Sequence, residues 1–471
     1  MMYDARPDDP SWRAAPDPDG DEHDPEITDE ALDREPALPQ GFLEWFVVSQ
    51  TVIPAMLYLP GSQAYRLPLR VGAYVVAFIG FAIWWFDRSA PNDDRHPSQR
   101  WLALVLLYLT LMIFHPLTSS LLAGVAQTLL YAAIFLPVFW APAFVTEPRQ
   151  LVRLLAILLV CNGINSMVGV LQVYDPERFM PSQLSLALSR TALAAATYIG
   201  PDGRPILRPP GLFDTPGAVC GPGTVAALLG LVFALEKFAW WKRAIALMFS
   251  LAGISAIYLS HVRANFVVTL GMMAVYAAAL LFQNQKARLT AFASLGAGVV
   301  VVGLTASTVI GGESIRQRFS TLLAEDPRSL YYASRGQQLE TGFAELASQY
   351  PFGAGLARWG MMRGYFGDRS NLESTEIWAE VQPSGWLLDG GLVLLGLYSL
   401  ALAFAGWYEW RLAMSLAAQE DRFWAATVAA VNIGTLALVF SFVPFVTQVG
   451  LQYWFLEGAL HGAMARRPRR T

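Results

Sequence analysis

The sequence predicts an all-α, polytopic integral membrane protein with about twelve transmembrane helices and a large outer loop. Three observations predict it. The 471 residues are 54% hydrophobic and only 15% charged, with 15 Trp and 27 Phe. The apolar residues gather in repeated runs near the length that a bilayer requires. Lys and Arg concentrate in alternate connections between those runs, as the positive-inside bias demands.

Residues 1–40 hold 13 Asp or Glu against three Arg, a balance of −10, which leaves +6 for residues 41–471 of a chain whose net charge is −4. They are rich in Asp, Pro and Glu and lack the apolar stretch of a cleaved signal peptide. They read as a disordered acidic cytoplasmic tail, with the first span as an uncleaved anchor. The membrane domain is expected over residues 41–465, followed by a basic cytoplasmic tail over 466–471. The lipid bilayer is the expected environment, and no nucleic-acid partner is expected. Cys161 and Cys220 each sit in or beside an apolar run and read as small buried apolar residues, not a disulfide framework.

The candidate spans are Phe42 to Leu59, Leu69 to Phe86, Trp101 to Phe114, Leu121 to Val145, Leu151 to Val173, Ala218 to Leu235, Ala244 to Leu259, Phe266 to Phe282, Leu289 to Ile310, Trp386 to Trp407, Phe423 to Phe442 and Phe445 to Met464. The third has only 14 residues, about 21 Å at helical rise, so it must extend into its flanks, tilt little or be re-entrant. Pro137 and Pro142 should kink or shorten the fourth. With both termini cytoplasmic, the inner connections take Arg88, Arg95, Arg100, Arg149, Arg153, Arg243, Arg288, Arg411, Arg422 and the lysines Lys237, Lys242 and Lys286. The short outer turns His115 to Ser120 and Ser441 to Pro444 have neither Lys nor Arg.

This topology puts three polar segments on one outer face: 174–216, the turn Ser260 to Asn265, and 311–384. Long polar insertions among short turns are usually functional, and this face has no access to cytosolic nucleotide sugars or ATP. In the first segment, prolines make a stiff approach to the turn around Asp214 and hold Arg208 at the membrane boundary. The bland account of Arg208 is an arginine reaching to lipid headgroups. Arg263, on the outer side of a very short turn, runs against the positive-inside bias, which points to function. His261 beside it is either an interfacial polar residue or a proton acceptor.

In the long segment, Ser334 to Gln337 has capping-box spacing, and Leu339, Phe343, Leu346 and Tyr350 follow at helical steps before Pro351 stops the helix. That helix is expected to lie on the bilayer or close over a cavity. Ser370 to Glu373 repeats the spacing, which would put Glu376 and Glu380 on one helical face at i, i+4. A solvated face is the plain account of that pair. Asp389 and Glu457, inside apolar runs, are functional-site candidates, although Glu457 also fits simple pairing with a nearby Arg or His. No outer His, Cys or Asp group has metal-ligand spacing, so neither a metal nor a cofactor is expected.

Taken together, Arg208-Pro-Pro-Gly-Leu-Phe-Asp-Thr-Pro-Gly217 entering a helix, Ser260-His-Val-Arg263 opening another, and Tyr350-Pro-Phe-Gly-Ala-Gly-Leu356 in the long loop resemble the O-antigen ligase and O-antigen polymerase superfamily. The resemblance covers most of the chain from about residue 45. It implies a metal-independent membrane glycosyltransferase of the bacterial inner membrane. On the periplasmic face such an enzyme transfers an undecaprenyl pyrophosphate-linked glycan donor to a glycan or lipid-glycan acceptor. It places arginines at Arg208, Arg263 and Arg335, where guanidinium forks would hold pyrophosphate oxygens. Arg208, Arg263, Glu376, Glu380 and His261 are then the expected catalytic residues, with the proton acceptor open among His261, Glu376 and Glu380. Arg204, Arg335, Tyr331, Tyr332 and Gln382 are the expected substrate-binding residues. Ligases of this family usually carry a histidine in the long outer loop. The histidines here are His23, His96, His115, His261 and His461, none between Gly311 and Ser384, which favours a polymerase over a ligase proper. The rival readings are a transporter or flippase of lipid-linked glycan and a non-catalytic assembly scaffold.

Overall fold

The computed structural model describes residues 41–59, 61–86, 95–181, 196–199, 205–312, 315–316, 319–320, 324, 326–368, 370, 377–415 and 418–465. The acidic tail, the basic tail, Arg204, Glu376 and most of the Ser370 to Glu373 spacing lie outside them. The described chain is all-α apart from one small hairpin.

Every apolar run of the sequence forms helix. In chain order these are α1 (Phe42–Ala55), α2 (Arg66–Phe86), α3 (Gln99–Met112), α4 (Leu121–Phe135), α5 (Pro137–Phe144), α6 (Pro148–Tyr174), α7 (Cys220–Leu235), α8 (Trp240–Leu259), α9 (Arg263–Phe282) and α10 (Lys286–Gly311). After the long loop come α11 (residues 327–349), α12 (Gly360–Phe366), α13 (Gln382–Ser415), α14 (Gln419–Leu438) and α15 (Gln448–Ala465). Seven of these helical segments are long and apolar enough to cross a membrane, with α4 and α5 counted together as one, and this is a membrane protein. The third run is indeed short, at 14 residues.

Local chemistry sets the helix ends. Pro137 has no N–H to give and its ring crowds the preceding turn, so α4 stops at Phe135 and α5 starts on the proline. The N-terminus of α6 has Pro148 in its first turn and a reciprocal Glu147/Gln150 capping box.

Small residues then let backbones approach. On the α7/α8 pair, a Cβ on Gly223 would lie 2.8 Å from Gly253 O, and one on Gly230 would lie closer still to Ala246 O. Ser250 Oγ donates to Ala227 O at 2.7 Å across the same seam. In lipid, where tails are as apolar as side chains, such close packing is the main force between helices. Gly458 and Gly462 of α15 do the same against the carbonyls of α5 and its exit.

The long α13 is broken at Gly390 and Gly391. Into the break comes the loop segment after Tyr350: Leu392 N–H donates to Pro351 O at 2.9 Å, and Ala354 N–H to Leu388 O at 2.7 Å. Gly391 sits at φ 62°, and a Cβ there would overlap Pro351 O. The same loop is pinned to the 113–120 turn by Leu356 N–H to Thr118 Oγ1 (3.1 Å) and Ser119 N–H to Leu356 O (3.1 Å).

Two expectations for the long loop need correction. The helix does not start at Ser334. It starts at Pro327, capped by Asp326, whose carboxylate accepts from Ser329 N–H at 3.0 Å, so Ser334 lies inside it. Two π-helical stretches, Tyr332–Gly336 and Gly342–Leu346, interrupt it. Each shifts the phase, so the stripe read from α-spacing does not stay on one face: Leu346 and Tyr350 pack towards Trp359 and Leu388, while Phe343 is about half exposed. Residues 377–380 are not helical, so the shared helical face for Glu376 and Glu380 does not form there. Ile377 N–H instead donates to Arg358 O at 3.0 Å.

Because Gly391 needs both a left-handed backbone and an absent Cβ, Gly391→Ala should destabilise the protein by at least about 2 kcal/mol. Thermal unfolding of the purified variant against wild type measures it; an unchanged midpoint would contradict this account of the break.

Candidate functional site

The turn between the hairpin and α7 is built by the short turn that follows α1, by α2 and by α6. The hairpin pairs β1 (Thr197–Ile199) with β2 (Pro205–Leu207), and Arg208 N–H extends it to Ala196 O at 2.8 Å. Along α6, Asn162, Asn165, Ser166, Gly169 and Gln172 form a buried stripe at helical spacing. Gln172 satisfies Gly211 on both sides, accepting its N–H and donating to its carbonyl, each at 2.9 Å. Asn165 Oδ1 accepts Leu212 N–H at 2.9 Å, and Tyr58 Oη donates to Gly211 O.

Asp214, farther along, accepts Arg66 Nη2 and Arg70 Nε, each at 2.6 Å. Arg66 is buried, with its Nε and Nη1 unpartnered among the described residues. Two guanidinium groups on one carboxylate leave a net positive charge there.

Arg208 closes this turn, its carbonyl accepting Gly217 N–H at 3.2 Å. Gly217 sits at φ 74°, and a Cβ there would come within 3.2 Å of Arg208 Nη2. The guanidinium therefore lies flat over a glycine that must remain one.

The tight α7/α8 seam brings the second arginine to the same end. As α8 finishes, His261 takes a left-handed backbone (φ 57°) and is buried, and Arg263 begins α9. Asn265, half a turn on, donates to Thr224 Oγ1 at 3.4 Å in the first turns of α7, and Thr269 Oγ1 meets the same oxygen at 3.2 Å. Thus the turns carrying Arg208 and Arg263 are neighbours, although 55 residues separate the two arginines in sequence.

The long loop adds the third arginine. Arg335 pairs with Glu380, which also accepts Gln338 Nε2 at 3.2 Å. Burial, and then the charge of Arg208, lower the hold of Arg335 on its proton. The two cations therefore share one electrostatic environment. Burial disfavours charge of either sign, but the repulsion between the two cations is relieved by an anion placed near both. Around it, Tyr331 Oη donates to Phe440 O at 2.9 Å, Ser384 Oγ to Gln338 O at 3.3 Å, and Tyr365 of α12 lies 3.4 Å from Arg70 Nη1.

The expected site residues divide accordingly. Arg208 and Arg335 are brought together, with Glu380 attached to Arg335. Arg263 and His261 lie on the adjoining turn. Tyr331 anchors the loop helix to the α14 exit, and Tyr332 donates to Glu340 on its own helix. Gln382 is fully buried, and its Oε1 accepts Phe445 N–H at 2.8 Å, so it braces the start of α13. Asp389 accepts Tyr131 Oη at 2.8 Å and Gln127 Nε2 at 3.3 Å beside the helix break.

Arg66 and Arg70 were not among the sequence candidates. The signal for them was present: two arginines at i, i+4 where the assigned topology puts an outer connection, against the positive-inside bias. No protein-family model matches the chain, and no curated protein matches it.

Asp214→Asn should remove the counter-charge of Arg66 and cost about 3–5 kcal/mol, the usual penalty for stranding one partner of a buried ion pair. Chemical denaturation of the purified variant tests this; stability within error of wild type would show that Arg66 reaches water.

Proposed function

We propose that the protein transfers a glycan from an undecaprenyl pyrophosphate carrier to a glycan or lipid-glycan acceptor on the periplasmic face of a bacterial inner membrane, in the manner of an O-antigen polymerase. The observation that carries the reading is the convergence of Arg208, Arg335 and the Arg263 turn at one end of the bundle, with Arg66 and Arg70 close by on the same Asp214 turn. In this reading all twelve apolar runs span the bilayer, which keeps both termini cytoplasmic, and 174–216 and 311–384 face the periplasm.

An acceptor hydroxyl attacks the anomeric carbon as the bond from that carbon to the pyrophosphate oxygen breaks. The charge that develops on the departing pyrophosphate is met by guanidinium groups, which donate in pairs and stay protonated in a poorly hydrated site. Aimed in advance at that charge, they lower the barrier without having to reorganise. Glu380, already engaged by Arg335 and Gln338, orients Arg335. His261, on the Arg263 turn, is left among the described candidates to take the hydroxyl proton. The lack of a histidine in the long loop favours polymer extension over transfer by a ligase proper.

Arg208→Ala and Arg263→Ala should each lower transfer by at least about a hundredfold while leaving the protein in the membrane. Purified protein with a lipid-linked oligosaccharide donor provides the assay, read as released undecaprenyl pyrophosphate. Wild-type release from both variants would overturn the mechanism. Donor movement across vesicles without any release would assign the protein to transport instead.

A further inference from the structure

Away from the arginines, the bundle holds a second polar centre that the transfer reading does not use. Glu409 of α13 and Glu457 of α15 are each 1% exposed, and their carboxyl groups face one another. Glu409 lies 27 residues beyond Gln382 on α13 (382 to 409), at most about 40 Å along the helix.

Asn432 of α14 donates Nδ2 to Glu409 Oε1 at 3.0 Å, while its own Oδ1 is buried and accepts nothing among the described residues. His96, just before α3, sets Nε2 3.4 Å from Glu457 Oε2. The His96 ring stands edge-on to Tyr408 and His461, at 5.2 and 5.4 Å between centroids, and Tyr408 Oη is 2.6 Å from His461 Nδ1. Tyr453, one turn before Glu457, is buried next to both carboxyls, and Tyr398 stands behind it.

Among the described residues neither acid forms an ion pair with Lys or Arg. Arg411, two residues from Glu409, lies over Trp407, and Arg100, four residues from His96, lies over Trp101 and Phe404.

Two ionised carboxylates in contact, out of water and without a cation, repel each other and forfeit their hydration. A single shared proton removes both penalties: one carboxyl becomes a donor and the other remains the acceptor. Asn432 meets the pair at Glu409 and His96 meets it at Glu457, and both the Asn432 oxygen and His96 Nε2 are buried without a hydrogen-bond partner among the described residues, so the centre is suited to hold a small positive charge. We propose that Glu409 and Glu457 form a proton-binding site, with His96 as the group through which the proton is exchanged. In the exchange the O–H bond of Glu457 breaks as an N–H bond forms on His96 Nε2, and the pair passes from one negative charge to two. The return step reverses both. His96 adjoins the exposed Arg95, which gives this proton a short way out at the end of the bundle opposite the arginines. The site is independent of the glycan-transfer reading.

Infrared difference spectra of the full-length protein in lipid nanodiscs test it. At neutral pH the wild type should show the C=O band of a protonated carboxyl that shifts on deuteration. That band should vanish in Glu409→Gln and in Glu457→Gln, isosteric changes that keep the hydrogen bonds of the pair. In His96→Gln the band should persist but lose its fast hydrogen–deuterium exchange, which a purely structural histidine would leave unaltered. Absence of the band from wild type, or its survival in both glutamine variants, overturns the proposal. The wild-type spectrum decides the first point even if a variant does not fold. Replacing choline chloride by sodium chloride at constant pH should leave the band unchanged; its loss together with bound sodium would make the centre a metal-cation site and overturn the proton assignment.

Discussion

Backbone that leaves the helix inside a bilayer must find its hydrogen bonds within the protein, since hydrocarbon offers none. Much of this structure follows from meeting that demand. Gly211, at the corner of the Asp214 turn, has its N–H and its carbonyl both served by the one amide of Gln172. At the break in α13, Leu392 and Leu388 exchange bonds with Pro351 and Ala354 of the loop in place of their own helix. In both cases glycine makes room for the approach. Irregular backbone is thereby held rigidly where the arginines are presented, and site geometry and fold stability are one problem at that end of the molecule.

Charge is distributed between the two ends in a consistent way. At one end cations exceed anions: Asp214 serves two arginines, and Arg335 keeps Glu380 while lying in the field of Arg208. At the other end two acids face each other with only neutral or titratable neighbours. Neither arrangement is favoured by stability alone, because burying unequal charge costs free energy that apolar side chains would spare. In the readings proposed above, an ion of the opposite sign completes each of them: the departing pyrophosphate at the first end and a proton at the second.

Much of the helical architecture was legible from the length and spacing of apolar runs, because a membrane helix depends mainly on its own sequence. Breaks were legible where proline causes them, as at Pro137. The phase of α11 was not, since a π stretch leaves the composition unchanged and moves every later side chain. Arg208 and Arg263 could be singled out from their positions, but the nearness of the turns that carry them rests on Gly223 and Gly253, which only pairing of α7 with α8 reveals. Arg66 and Arg70 escaped notice because the acid that explains them, Asp214, is 148 and 144 residues away. The buried dyad was half visible: Glu457 stood out inside an apolar run, whereas Glu409, close to the end of its helix, resembled an ordinary boundary residue.

The two π stretches of α11 give this helix a property its neighbours lack. Each extra residue turns the following segment by about 100°, so the face bearing Arg335 and the face that packs on Trp359 belong to different registers of one continuous rod. Removing a single residue between Gly342 and Leu346 would restore regular α-helical bonding, yet it would rotate one of those faces away from its partner. For this helix, local regularity and correct docking are alternatives, and the π winding keeps both faces against their partners.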